Sequence, residues 1–187
     1  MLQLKKDFKF KKVKNFLDQK ETNLLKNYFL IKHRNNDSNF DFRQNDNGET
    51  FYYSDTLTES LLKEKKLLVE KETGLELLPS YSYFRLYTMF STLKKHTDRP
   101  ACEVSVSVMA GSSGEKWPIF MGGTPVELNP GDAVIYLGCE VEHYREEFLG
   151  DWHAQFFLHY VDKNDLHKEH ELDGRAYLGA PDHFRKN

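Results

Sequence analysis

A mainly β fold with helices at its N-terminal end, closed as a sandwich or jelly roll, is what the sequence predicts. Two textures and one bias predict it. From Leu75 onward, short runs rich in Tyr, Val, Phe and Ile recur between breaks of turn chemistry, the spacing of an all-β sheet pair. Before Leu75 the apolar residues keep helical spacing instead. Aromatic residues make up 14% of the chain, which suits a β-rich core around a roofed cavity. No internal repeat or low-complexity tract is present.

Taken in order, residues 2–16 alternate loosely, with Leu2, Leu4, Phe8 and Phe10 at even spacing, and predict a short edge strand. Asp18 followed by Glu21 reads as a capping box. Leu24, Leu25, Tyr28 and Phe29 then give one apolar face to a helix that ends near Arg34. Residues 35–50 are polar and rich in Asn and Asp, a loop or a cover over a cleft. Ser54 and Asp55 open a second helix, in which Leu57, Leu61 and Leu68 keep helical spacing and Gly74 makes the stop. Both helices are expected to support a sheet rather than carry chemistry.

Strands are expected at Tyr81–Met89, Ala101–Ala110, Trp117–Met121, Val126–Leu128, Ala133–Leu137 and Trp152–Val161, with short pieces around His96 and His143. The breaks are Gly111–Gly114, Gly122–Gly123, Asn129–Asp132 and Gly150–Asp151. The tail, residues 162–187, is polar with Gly174, Gly179 and Pro181, and is expected to lie irregularly over the barrel. One domain of 187 residues results: helical support over 1–75, a β core over 76–161, and the tail.

A net charge of −3 argues against nucleic-acid binding. The basic start, with Lys5, Lys6, Lys9, Lys11, Lys12 and Lys14, reads as a solvated segment or a surface for an acidic partner. It lacks the apolar stretch of a signal peptide, and no run is long enough for a membrane span. Two cysteines, Cys102 and Cys139, are too few for a disulfide scaffold. They are expected to be reduced, buried small hydrophobes without a His partner in a cytoplasmic protein.

The chemistry starts at His96 and Asp98. Two residues apart on an extended strand, they point to one face. Two imidazoles and a carboxylate with open positions form the usual ligand set of non-haem Fe(II) oxygenases, so a second His is required. His143 lies 47 residues beyond His96, after the Asn129-Pro130-Gly131-Asp132 turn and the Ala133–Leu137 strand. In a double-stranded β-helix a late strand returns at that point beside the one carrying the first pair.

Residues 81–161 resemble the catalytic core of the Fe(II)/2-oxoglutarate-dependent oxygenases, in the prolyl 4-hydroxylase-like branch. The strand of Tyr87, His96-Thr97-Asp98, the Asn-Pro-Gly-Asp turn and His143 carry the resemblance. The stretch Asp173-Gly174-Arg175 through Pro181 is similar to the tail of small bacterial and phage-type members. The resemblance implies a double-stranded β-helix (jelly-roll, cupin-like) core and iron held by His96, Asp98 and His143. It also implies 2-oxoglutarate chelating that iron, O2 as the oxidant, and hydroxylation of a peptidyl proline or a small amino-acid-like substrate. Asp98 argues against the halogenating relatives, which replace that carboxylate.

The sequence departs from the pattern at the cation expected for the distal carboxylate of 2-oxoglutarate: Trp152 and His153 stand there. Three candidates replace it, in the order Arg145, Arg85, His153. Arg145 faces the same way as His143, and Arg85 shares a face with Tyr83 and Tyr87 unless an ion pair with a carboxylate such as Glu103 holds it. Tyr87 matches a family tyrosine that contacts the co-substrate, and Gln155 shares an inward face with His153. Arg99 is a candidate to bind a substrate carboxylate, to support the metal ligands from behind, or simply to pair locally. Trp117 and Phe120 read as core. The alternatives are a cupin-type metal barrel, which prefers H-x-H with a following Glu, and a non-catalytic ligand-binding barrel.

Overall fold

The structure is a computed structural model and describes residues 8–35, 43–44 and 48–180. The capping box forms as the sequence predicts. Asp18 accepts from the Glu21 N–H and Glu21 from the Asp18 N–H, each at 2.8 Å, and α1 (Gln19–Arg34) follows. The second helix is divided. α2 (Thr56–Glu64) and α3 (Lys66–Thr73) meet at Lys65, whose ammonium turns back onto Glu21 at 2.7 Å. Leu62 and Val69 are both fully buried across that turn. Gly74 ends α3 at φ 72°, a left-handed position suited to glycine.

The edge strand near the N-terminus is β1 (Phe10–Val13); Leu2 and Leu4 lie outside the described residues. Lys9, Lys11 and Lys12 pair with Glu140, Glu72 and Asp132, so these three lysines serve the chain's own acids. The polar segment 35–50 is not all loop: β2 (Arg43–Gln44) and the start of β3 (Thr50–Tyr53) extend a sheet there. The rest of the expected cover, 36–42 and 45–47, falls outside the described residues.

The remaining strands are β4 (Leu77–Thr88), β5 (Leu93–His96), β6 (Val104–Ser112), β7 (Ile119–Met121), β8 (Thr124–Val126), β9 (Ala133–Leu137), β10 (His143–Arg145) and β11 (Trp152–Asp162). The strand expected from Ala101 begins only at Val104, because Pro100–Cys102 form a 3₁₀ turn. The strands build two antiparallel sheets, β1-β9-β6-β11-β4-β3-β2 and β5-β10-β7-β8.

Alternation along β4 and β11 sorts the large sheet into two faces. Phe84, Leu86, Phe156 and Leu158 are fully buried on the outer face, where Phe29 of α1 stacks on Phe84 at 3.8 Å. Tyr81, Tyr83, Arg85, Tyr87, His153, Gln155, Phe157 and His159 occupy the inner face, toward the small sheet.

The tail is irregular, as expected, but it is firmly held. A 3₁₀ segment (Leu166–Gly174) is kinked at Glu171–Asp173. Beyond it the fully buried Arg175 donates to Glu59 at 2.8 Å, to the Ser80 and Ala180 carbonyls at 2.9 Å, and to Ser54. Truncating one partner of a buried ion pair strands the other charge, so Arg175→Ala is expected to cost about 3–5 kcal/mol, read by urea denaturation.

Candidate metal centre

His96 closes β5, His143 opens β10, and the two are direct partners in the β5–β10 ladder. Their ring centroids lie 4.3 Å apart. Asp98 sits just past β5, where its N–H donates to the Gly138 carbonyl at 2.8 Å. Its Oδ1 is 3.5 Å from His96 Nε2 and 3.5 Å from His143 Nε2, and the three ligand atoms lie within 4.8 Å of one another. Neighbouring ligands in an octahedral shell about 2.1 Å from an ion are about 3 Å apart, so small side-chain movements would bring all three onto one cation.

Each imidazole is oriented by the main chain. His96 Nδ1 meets the Lys94 carbonyl at 2.7 Å and His143 Nδ1 the Val141 carbonyl at 2.9 Å. A carbonyl only accepts, so Nδ1 donates to it and Nε2 is left to face Asp98: with a proton it hydrogen-bonds the carboxylate, and without one its lone pair is free for a cation. On the other side Ser105 Oγ donates to Asp98 Oδ2 at 3.0 Å. Burial opposes charge on Asp98, but hydrogen bonds to His143 and His96 outweigh it and hold the carboxyl well below its usual range. The hydrogen bond to Asp98 raises His96 in turn. A Cβ at position 138 would strike the Cys102 carbonyl and the Asp98 carboxylate, so the loop behind Asp98 needs glycine.

Arg145, on the second sheet, is buried to 3% exposure. It donates to the Trp117 carbonyl and, at 3.1 Å, to Gln155 Oε1, and its guanidinium lies 4.5 Å from the Trp117 ring centroid. Among the described residues no carboxylate pairs with it, and burial pushes it down to about 10. Tyr87, also fully buried, stands beside it. The Arg145 fork therefore keeps donors unspent inside the barrel, where an anion is the fitting partner.

The other two anchor candidates fare differently. Arg85 is held by Glu49, not Glu103 as anticipated: its Nε lies 3.2 Å from Glu49 and an Nη also donates there, while its guanidinium stacks 4.5 Å above Tyr87. Glu103 instead accepts from the Asp162 N–H. His153 does not supply a cation. Burial, then Arg145, pushes it down to about 3, so it is neutral. Its Nε2 donates to Gln155 Oε1 at 2.8 Å, since Gln155 spends its own amide on Ser107 at 2.7 Å, and its Nδ1 has no hydrogen-bond partner among the described residues. Because the unfolded imidazole titrates near 6.5, the unfolded chain binds the extra proton between about pH 6.5 and 3. Stability is thus expected to fall as pH drops through that window, by up to about 1.4 kcal/mol per unit from this group. His153→Phe should flatten the slope in a pH series of thermal melts.

Arg99 forks onto Asp173 at 2.7 and 2.8 Å and lies 4.7 Å over Tyr81. Asp173 also accepts from Tyr53 at 2.6 Å. Arg99 thus joins the tail to the segment that follows Asp98. Cys102 does have an imidazole nearby, contrary to the sequence reading: Asp98, Cys102 and His159 form a second close group that shares the triad's carboxylate. Burial and Asp98 push the thiol up, so it stays protonated and its sulfur meets Tyr81 Oη at 3.0 Å. Trp117 is buried with Tyr87, Phe148 and His153, whereas Phe120 is partly exposed and stacks on Tyr144. Glu49, Gly138, His159 and Asp173 gained no role from sequence, since each acts on a residue far along the chain; Ser105, near Asp98 in sequence, reads only as a strand residue.

No protein-family model and no curated protein matches the sequence. Solved structures do. A prolyl 4-hydroxylase from Pseudomonas putida superposes with TM-score 0.60 at 16% identity, over 85% of this chain and 95% of its own. Its fold is the double-stranded β-helix. The epimerase SnoN of nogalamycin biosynthesis, in complex with Fe3+, α-ketoglutarate and nogalamycin RO, gives TM-score 0.66 at 12% identity over 84% and 80%. HygX from Streptomyces hygroscopicus, with nickel and 2-oxoglutarate bound, gives 0.65 at 10% over 87% and 86%. No helix among the described residues is long and apolar enough to cross a membrane.

Proposed function

We propose that this chain is an Fe(II)- and 2-oxoglutarate-dependent oxygenase that hydroxylates an unactivated C–H bond of a small molecule or a peptidyl proline. The observation that carries the reading is the convergence of two main-chain-oriented imidazole Nε2 atoms on one Asp98 oxygen. The set is chemically fit for Fe(II): two neutral nitrogens and one carboxylate leave half the dication's charge and several coordination positions for a chelating co-substrate and O2. Relatives in fold bind a metal ion and 2-oxoglutarate.

In this reading His96, Asp98 and His143 hold the iron. Iron, 2-oxoglutarate and O2, when bound, supply the oxidising equivalent, with succinate and CO2 as co-products. The chain's own residues do the rest. Arg145 offers its unspent donors to the distal carboxylate, and Tyr87 lies against the same pocket. Gln155 orients Arg145 and His153 through one carbonyl oxygen. Trp117 and Phe148 pack with Tyr87 in one buried cluster beside the guanidinium, a low-dielectric setting that strengthens its grip on an anion. The test is spectroscopic: Fe(II) followed by 2-oxoglutarate, without oxygen, gives a weak visible charge-transfer band, and oxygen then gives succinate. Absence of the band in wild type overturns the reading.

A further inference from the structure

The tail carries a separate group of ligand-type side chains, apart in sequence from His96, Asp98 and His143. Its 3₁₀ segment begins Leu166-His167-Lys168-Glu169-His170. A 3₁₀ turn takes three residues, so side chains at i and i+3 eclipse, and the rings of His167 and His170 come to one side with centroids 6.3 Å apart. Glu169 reaches the same place: its Oε1 is 3.6 Å from His170 Nε2. One ligand atom from each of the three lies within 4.8 Å of the other two. Donors bound at about 2.0–2.1 Å around a tetrahedral Zn2+ stand about 3.3 Å apart, so small side-chain rotations would complete the set.

Among the described residues, no lysine, arginine or other acid pairs with His167, Glu169 or His170. Both histidines are half-buried and Glu169 is exposed, so a cation would reach them from solvent and keep water in its remaining positions. Two imidazoles and a carboxylate suit Zn2+, whereas Mg2+ and Ca2+ favour all-oxygen shells. The rest of the segment is fixed at its ends. Asp165 accepts from the Leu166 N–H at 2.6 Å, and Asp173 grips Arg99. Just past His170, Leu172 and Asp173 take left-handed φ values of 56° and 52°, an unfavourable conformation for residues that carry a Cβ.

We propose that His167, Glu169 and His170 form a second metal site, for a borderline divalent cation of the Zn2+ type, and that the ion fastens the tail whose Asp173 holds Arg99 beside Asp98. The proposal is independent of the oxygenase reading, since these donors take no part in that chemistry. An ion held across one 3₁₀ turn favours that turn over other conformations of the segment, because the binding free energy of a geometry that only the turn presents adds to its stability.

The probe is Zn2+ alone, titrated by calorimetry into the untagged full chain carrying His96→Ala and Asp98→Ala, which removes the first centre. One Zn2+ per chain is expected to bind, a further His167→Ala or His170→Ala to weaken it by roughly tenfold or more, and Mg2+ to give no binding heat. All three side chains reach solvent, so these substitutions should leave the fold intact, which circular dichroism checks. Zn2+ should also slow trypsin cleavage after the exposed Lys168, which lies between the ligands, and His170→Ala should abolish that protection. No Zn2+ binding, or binding unchanged by both histidine substitutions, overturns the site. Equal binding of Mg2+ overturns the class of cation, and cleavage unaffected by Zn2+ overturns the fastening. A missing charge-transfer band in wild type sinks the oxygenase reading alone, and the Zn2+ titration still scores this site.

Discussion

The Asp98→Ala variant is expected to give no charge-transfer band with Fe(II) and 2-oxoglutarate, and succinate release no higher than in protein-free controls. Asp98 is the hub of the centre: both Nε2 atoms point at its Oδ1, and it alone among the three brings negative charge. Losing an outer hydrogen-bond partner of a metal ligand typically costs about 10–100-fold in affinity or activity, and losing the charged ligand itself should cost more. Because Asp98 lies behind β5 rather than in the sheet core, the fold should survive, which circular dichroism checks. A band retained in this variant would mean that the metal is held elsewhere.

The second large effect belongs to Arg145. Removing one partner of a buried, hydrogen-bonded charge pair costs about 2–5 kcal/mol. Arg145→Met is therefore expected to raise the 2-oxoglutarate concentration at half-saturation by roughly 30-fold or more. Fe(II) binding without 2-oxoglutarate should remain, since Arg145 touches none of the three ligands. The thermal stabilisation that 2-oxoglutarate confers in wild type should largely vanish. The Arg85→Ala variant separates the two guanidiniums. Arg85 already has Glu49 as its counter-charge, so its loss should disturb the β3–β4 edge more than co-substrate binding. A reversed outcome, with Arg85→Ala raising the 2-oxoglutarate requirement and Arg145→Met leaving it unchanged, would move the anchor to Arg85.

Local chemistry made much of the fold legible. Asp18 and Glu21 announce a helix start in four residues, Gly74 announces its end, and β9 falls on Ala133–Leu137 as expected. The convergence of His96, Asp98 and His143 was legible as well, because H-x-D on an extended segment needs one more imidazole and the strand order leaves a place for His143. What stayed hidden depends on contacts across long stretches of chain. Nothing near Arg85 says that its partner is Glu49, which sits in a polar segment resembling a loop. Nothing in Gly138 shows that Asp98 would occupy the space of its missing side chain. His153 reads in sequence as a proton-accepting substitute for a cation, and only its burial beside Arg145 makes it neutral. The division at Lys65 has no breaker residue to mark it, since lysine is a good helix former.

The pairing of His96 with His143 bears on how the chain folds. Between His143 and Arg145 the ladder shifts, so that two residues, Lys94 and Lys95, stand opposite Tyr144. Such a bulge makes β5 and β10 short and irregular, with few ladder bonds to choose between alternative alignments. A slip of one residue would turn an imidazole to the other side of the sheet and scatter the three donors. A cation bound by all three would therefore favour one alignment over its neighbours, since binding free energy for a site absent from misaligned chains adds to folding. An ion held there for the proposed chemistry would also proofread the strands that hold it.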